Sequence, residues 1–229
     1  MTIVQQDKGT FQQAERAHTS FLAPIEKKAL VWMAHHTPGW INSDHLTVLG
    51  LASMAGAGLS YWYSRWDRAG LVWVIVFLVL NWLGDSLDGT LARVRNQQRP
   101  RYGFYVDHVV DAAGTFFLLA GLGLSGYMSE RVAAGLIIAY FLLTIEVYLA
   151  TYTIGKFHIS FWKWGPTELR LLLMAGNVAL FYKPVVTLFG HKYLLFDVGG
   201  VIGVLGMTLM FIWAAVRHTR RLYREEPRA

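Results

Sequence analysis

Asp85-Ser86-Leu87-Asp88-Gly89-Thr90-Leu91-Ala92-Arg93 is followed, nine residues later, by Gly103-Phe104-Tyr105-Val106-Asp107-His108-Val109-Val110-Asp111. The two segments hold four carboxylates in otherwise apolar surroundings. Asp85 and Asp88 stand at i,i+3 near the end of one apolar stretch. Asp107 and Asp111 stand at i,i+4 near the start of the next. On a helix each spacing puts both carboxylates on one face. The short connection turns the second helix antiparallel to the first, so the two pairs converge at one depth.

Four acids at that depth need an explanation. One charge near the bilayer centre costs about 2.5–3.5 kcal/mol on insertion scales. Four like charges also repel, so either some are protonated or a cation binds between them. An all-oxygen ligand set suits a hard divalent ion such as Mg²⁺ or Mn²⁺. The plainer alternative is a group of helix ends bathed in water.

Reading outward, the chain of 229 residues is 54% hydrophobic and only 16% charged, with a mean hydropathy of +0.35. Soluble domains carry about 25% charged residues, so the class is membrane. Six apolar stretches approach the roughly 20 residues a helix needs to cross a bilayer: Leu46–Ser64, Gly70–Arg93, Gly103–Tyr127, Val132–Ile154, Glu168–Leu188 and Val198–Val216. The fifth is the weakest, because Lys183 and Pro184 interrupt its end. Gly50, Ala55, Gly56 and Gly58 mark close helix packing in the first.

The net charge of +6 invites a nucleic-acid reading. The basic residues, however, lie in short segments between apolar runs, which points to orientation in a bilayer and away from nucleic acid. With both termini cytoplasmic, sixteen of the 21 Lys and Arg residues fall inside and five outside. The positive-inside rule then favours an even number of spans. The chain has no Cys, which excludes disulfides and thiolate metal sites. With Asp7 and Glu15 and no early apolar core, the first residues are not expected to be a secretory signal peptide.

The expected fold is therefore all-α and integral to the membrane. A six-transmembrane-helix bundle spans 46–216, between an N-terminal cytoplasmic or interfacial segment at 1–45 and a basic cytoplasmic tail at 217–229. The expected setting is an inner or plasma membrane, with the active site and both termini cytoplasmic. Ahead of the first span, Phe21, Leu22, Ile25, Ala29, Trp32 and Met33 recur at helical spacing around Glu26, Lys27 and Lys28. Such a pattern suits an amphipathic helix in the membrane interface, or equally one packed on the cytoplasmic face of the bundle.

The order Asp-x2-Asp-Gly-x2-Ala-Arg, nine residues, then Gly-x3-Asp-x3-Asp resembles the signature of the CDP-alcohol phosphotransferases. All eight signature positions are present, at Asp85, Asp88, Gly89, Ala92, Arg93, Gly103, Asp107 and Asp111. The resemblance implies a membrane enzyme of phospholipid synthesis. A CDP-linked donor loses CMP as an acceptor hydroxyl attacks the phosphorus that stays with the alcohol. It also implies two Mg²⁺ or Mn²⁺ ions, with Asp85, Asp88 and Asp107 as main ligands. Asp111 would complete the second metal site and take the proton from the acceptor. Gly89 and Ala92 would leave room for the cytidine, and Arg93 would offer donors to phosphate oxygens or the nucleotide. Arg93 also fits a positive-inside anchor, the role expected for Arg95, Arg99 and Arg101.

The compact layout resembles members that use CDP-diacylglycerol with a polar alcohol as acceptor, and related enzymes suggest a homodimer. Thr151-Tyr152-Thr153-Ile154-Gly155, Thr167-Glu168 and the Asp107-His108 pair look similar to the choline and ethanolamine phosphotransferases, which take CDP-choline or CDP-ethanolamine and a diradylglycerol. Their plain readings are an interfacial aromatic at Tyr152, an N-cap with an acidic first turn at Thr167-Glu168, and a structural hydrogen bond at His108. Ser43-Asp44-His45-Leu46-Thr47, before Gly50, stands where the family often carries Pro-Asn-x-x-Thr, and Asp44 is expected to cap that helix. Lys156, Lys163 and Arg170 either meet an acidic acceptor or satisfy the orientation rule. His35-His36 is too isolated for a metal site. A divalent-cation transporter would also carry bundled carboxylates, but it does not require the Gly-x-x-Ala-Arg context, and no inverted repeat is visible.

Overall fold

In the computed structural model, which describes residues 23–154 and 166–226, the elements run α1 (Ala23–His36), α2 (Ser43–Tyr63), α3 (Ala69–Val94), α4 (Pro100–Leu124), α5 (Glu130–Ile154), α6 (Pro166–Tyr182), β1 (Val185–Leu188), β2 (His191–Leu194) and α7 (Leu195–Glu225). The expected helices are all in place. Among the described residues, four of them, α3, α4, α5 and α7, are long and apolar enough to cross a membrane. The other two expected spans, α2 and α6, do not meet that measure. The body of α2 is rich in Gly, Ser and aromatic residues, and the 17 residues of α6 rise only about 26 Å.

Helix α2 is the hub of the bundle. Asn42 starts it: its Oδ1 accepts from His45 N at 3.0 Å, and His45 Nδ1 accepts from Asn42 N at 3.3 Å. This reciprocal cap corrects the expectation for Asp44, which lies inside the first turn and pairs with Arg99 instead. Both α3 and α4 pack chiefly on α2 rather than on each other. Glycines permit that approach. A Cβ added at Gly121 would lie 2.0 Å from Gly58 O, and one at Gly84 would lie 2.6 Å from Leu46 O. Backbone therefore meets backbone on both sides of α2. Tyr61, Leu71, Val74, Leu78, Leu118 and Leu122 fill the main core around these crossings.

Helix α1, read from sequence as either interfacial or packed on the bundle, has one face against α3 and the start of α2. Leu30 and Ala34 are buried against Leu46, Leu87 and Leu91, whereas Ala29 and Trp32 are exposed. Phe21 and Leu22 lie outside the described residues. The sixth helix also departs from expectation, ending at Tyr182 instead of reaching Leu188. Pro184 has no N–H to continue the ladder, and the residue before a proline avoids the helical region. Val185–Leu188 pairs antiparallel with His191–Leu194. The connecting Phe189 (φ 51) and Gly190 (φ 80) have the two positive φ angles of a tight hairpin turn. Helix α7 runs unbroken to Glu225, so the described part of the basic tail continues the last span as helix.

Candidate active site

Asp85 lies in the second half of α3, and Asp107 and Asp111 lie in the first half of α4. Each offers a carboxylate oxygen, and these three oxygens lie within 4.8 Å of one another. The shared packing on α2 sets this convergence, with α3 and α4 held apart enough to leave the acids facing across a gap. Asp85 and Asp107 are half-buried, whereas Asp111 is exposed. The fourth acid, Asp88, falls outside this group. Its Oδ2 accepts from Thr47 Oγ1 at 2.7 Å, and its Oδ1 accepts from Gly89 N at 2.5 Å. Three of the four expected ligands thus come together, while the fourth is tied toward α2.

Arg170 of α6 enters the same cluster. Its Nη2 donates to Asp85 Oδ2 at 2.6 Å, and its Nε donates to Asn81 Oδ1 at 2.8 Å. Asn81 is buried and donates to Gly50 O at 3.0 Å. One polar chain therefore joins α2, α3 and α6 at the carboxylates. Of the two roles left open for Arg170, the structure adds a third: it touches an expected ligand. Lys156 and Lys163 lie outside the described residues.

Around Gly89 the surroundings are open on one side. An added Cβ would meet only the Arg93 guanidinium, at 3.4 Å, and at Gly103 it would meet nothing within 4 Å. Arg93 donates to Thr90 Oγ1 at 2.9 Å, so its charge rests over the Gly89 face. Ala92 is half-buried beside it. Arg95 differs: it donates to Ile41 O, Thr37 O and Pro38 O, clamping the α1–α2 connection onto the end of α3. Arg99 binds Asp44 and stacks on Tyr102.

His108 Nδ1 donates to Phe104 O at 2.6 Å, and its ring meets Tyr148 edge-on at 5.0 Å. This is the expected structural hydrogen bond. Thr167 does not cap α6, since Pro166 already starts that helix. Its hydroxyl donates to Glu26 Oε1 at 3.0 Å, and the same oxygen accepts from Trp82 Nε1 at 2.8 Å and Ser86 Oγ at 3.4 Å. Glu26 thus ties α1 to α3 and α6 one turn from Asp85. Tyr152 is exposed at the end of α5.

The donor set is made of carboxylate oxygens alone, spaced closely enough to share a cation, which suits a hard divalent ion. The model describing CDP-alcohol phosphatidyltransferases matches residues 40–218, which takes in α2 to α5, α6, the hairpin and most of α7. A comparison with curated proteins found no match to the chain.

Proposed function

The chain belongs to the CDP-alcohol phosphatidyltransferase family, and from that premise we propose that it transfers a phosphatidyl group from CDP-diacylglycerol to a polar alcohol, releasing CMP. The family makes it a transferase of substituted phosphate groups acting in phospholipid synthesis, with a CDP-alcohol donor and a hydroxyl acceptor. Its long apolar helices make it an integral membrane protein. The meeting of Asp85, Asp107 and Asp111 within 4.8 Å supports metal-assisted transfer, and the compact layout of the chain is what favours CDP-diacylglycerol as donor.

In this reading Asp85, Asp107 and Asp111 hold the divalent cations, and Asp88 joins them from its place beside Thr47. The chemistry such a pair of ions would supply there is neutralisation of the pyrophosphate and of charge on departing CMP. The chain's own groups do the rest. Asp111, the exposed member, takes the proton from the acceptor hydroxyl. Arg93, lying over Gly89, offers its fork of donors to phosphate oxygens, and the small residues Gly89 and Ala92 admit the cytidine against α3.

The proposed topology adds α2 and α6 to the four long spans, giving six helices over 46–216, with both termini and the carboxylates facing the cytoplasm. The sixteen-to-five division of basic residues supports it. Ile3→Cys and Glu226→Cys in this Cys-free chain should label from the cytoplasmic side, and labelling from the outer side alone would refute the orientation.

CMP release from purified protein tests the substrate assignment. CDP-diacylglycerol with a panel of polar alcohols should yield CMP and a new phospholipid. Turnover confined to CDP-choline or CDP-ethanolamine with diradylglycerol would move the chain to that branch of the family. Metal-coupled uptake into vesicles without CMP release would favour a transporter.

A further inference from the structure

Arg170 is 14% exposed at its side chain and Asp85 25%, so the pair is largely withdrawn from water. Its guanidinium is held at two points, by Asp85 Oδ2 and by the carbonyl of buried Asn81. Asn81 is itself fixed on the backbone of Gly50, at a crossing where α2 and α3 are in close contact. An arginine tethered in this way is not a swinging surface charge. It is a fixed cation built against one ligand of the carboxylate group, reached from a helix 85 residues further along the chain.

We propose that Arg170 is a positioning residue that weakens and orders metal binding, by occupying Asp85 Oδ2 and leaving only Oδ1 for a divalent cation. The inference rests on the metal-holding reading of Asp85, Asp107 and Asp111. Two physical effects act together. Oδ2, engaged with a guanidinium, is withdrawn from bidentate chelation, so Asp85 is a one-oxygen ligand of defined direction. The adjacent positive charge also offsets part of the negative field of the cluster. It offsets the burial of Asp85 when no cation is bound, and it competes with the cation when one arrives. Planar two-point holding requires arginine, whereas the charge alone requires only a cation.

The test is Mn²⁺ binding to the full-length chain in nanodiscs, read from the loss of the free Mn²⁺ electron paramagnetic resonance signal. Removing a unit charge next to a ligand carboxylate changes the affinity for a divalent ion by about tenfold even at water-like screening. Arg170→Gln should therefore bind Mn²⁺ about tenfold more tightly than wild type or better. Arg170→Lys keeps the charge and should stay within about threefold of wild type. If Arg170→Gln does not fold, Arg170→Met, apolar and of similar length, carries the same expectation.

A purely structural ion pair would lower thermal stability in these variants without tightening Mn²⁺ binding. Unchanged or weaker Mn²⁺ binding in the neutral variants would overturn the proposal, as would equal tightening in the Lys variant. Asp107→Asn separates this from the underlying reading. If it binds Mn²⁺ like wild type, the metal site itself is misassigned. If it loses Mn²⁺ while Arg170→Gln gains nothing, only the role of Arg170 fails.

Discussion

Between α2 and its neighbours α3 and α4, side chains give way so that backbones touch, whereas along α7 they project outward. In the span of α3, 39% of residues are buried inside the bundle, against 6% in that of α7. Gly58 and Gly121 interlock at the α2–α4 crossing, while Gly206 of α7 has nothing within 4 Å of where a Cβ would stand. The carboxylates sit on the closely packed side, as does the network of Thr47, Asn81 and Arg170. Catalytic groups need fixed geometry, and helices locked backbone to backbone supply it. Helix α7 packs one face on α5, where His218 meets Glu146, and turns its remaining apolar side chains outward.

The comparison predicts effects that fall off from one region to the other. The largest is expected at the ligands. Asp107→Asn should reduce CMP release to background and abolish CDP-donor binding by calorimetry in Mg²⁺. Asp111→Asn comes next, with turnover lowered about 10²–10⁴-fold, the usual contribution of a general base, and donor binding retained. Wild-type turnover in Asp111→Asn would remove it as the base. Lost binding that excess Mg²⁺ restores would make it chiefly a ligand.

Packing effects follow. Gly121→Ala forces a methyl group against Gly58 O and should cost about 1–3 kcal/mol or more, seen as a lower midpoint of thermal unfolding in detergent. The smallest effect belongs to Gly206→Ala, which should leave that midpoint unchanged or raise it slightly, since Ala exceeds Gly as a helix former by about 1 kcal/mol. A destabilising Gly206→Ala would sharpen the picture in another way. It would mean that a second copy of the chain, and not lipid, covers that face of α7.

The sequence carried more of the site than of its support. Helix spacing and the cost of charge in a bilayer pointed to Asp85, Asp88, Asp107 and Asp111 as partners, because both effects are local to a few turns, and three of these four come together while Asp88 is held by Thr47. Arg170 and Glu26 were not legible in the same way. The partner acid of Arg170 lies 85 residues away and the partners of Glu26 lie 56, 60 and 141 residues away, and a basic residue near a helix end already had an ordinary explanation in membrane orientation. The cap of α2 was misplaced by two residues because Asn42, Ser43 and Asp44 are all good capping residues, and only the backbone decides among them. Likewise the apolar pattern of α1 marked a helix but left open whether it lies in the interface or against the bundle; Leu30 and Ala34 are buried against α2 and α3, and Ala29 and Trp32 are exposed. Its neighbours, invisible in the pattern, select the buried face. The Lys183-Pro184 break marked the weak end of the fifth stretch, but the hairpin that follows it was not read from the sequence.

The central claim is that the acids of α3 and α4 act through bound divalent cations to release CMP from a CDP-alcohol donor. The most direct measurement is CMP release by the purified chain after exhaustive chelation, with residual metal measured, followed by stepwise return of Mg²⁺ or Mn²⁺. The account predicts no CMP release in the chelated protein and recovery on addition of either ion. Full activity in excess chelator, with metals verified absent, would contradict it.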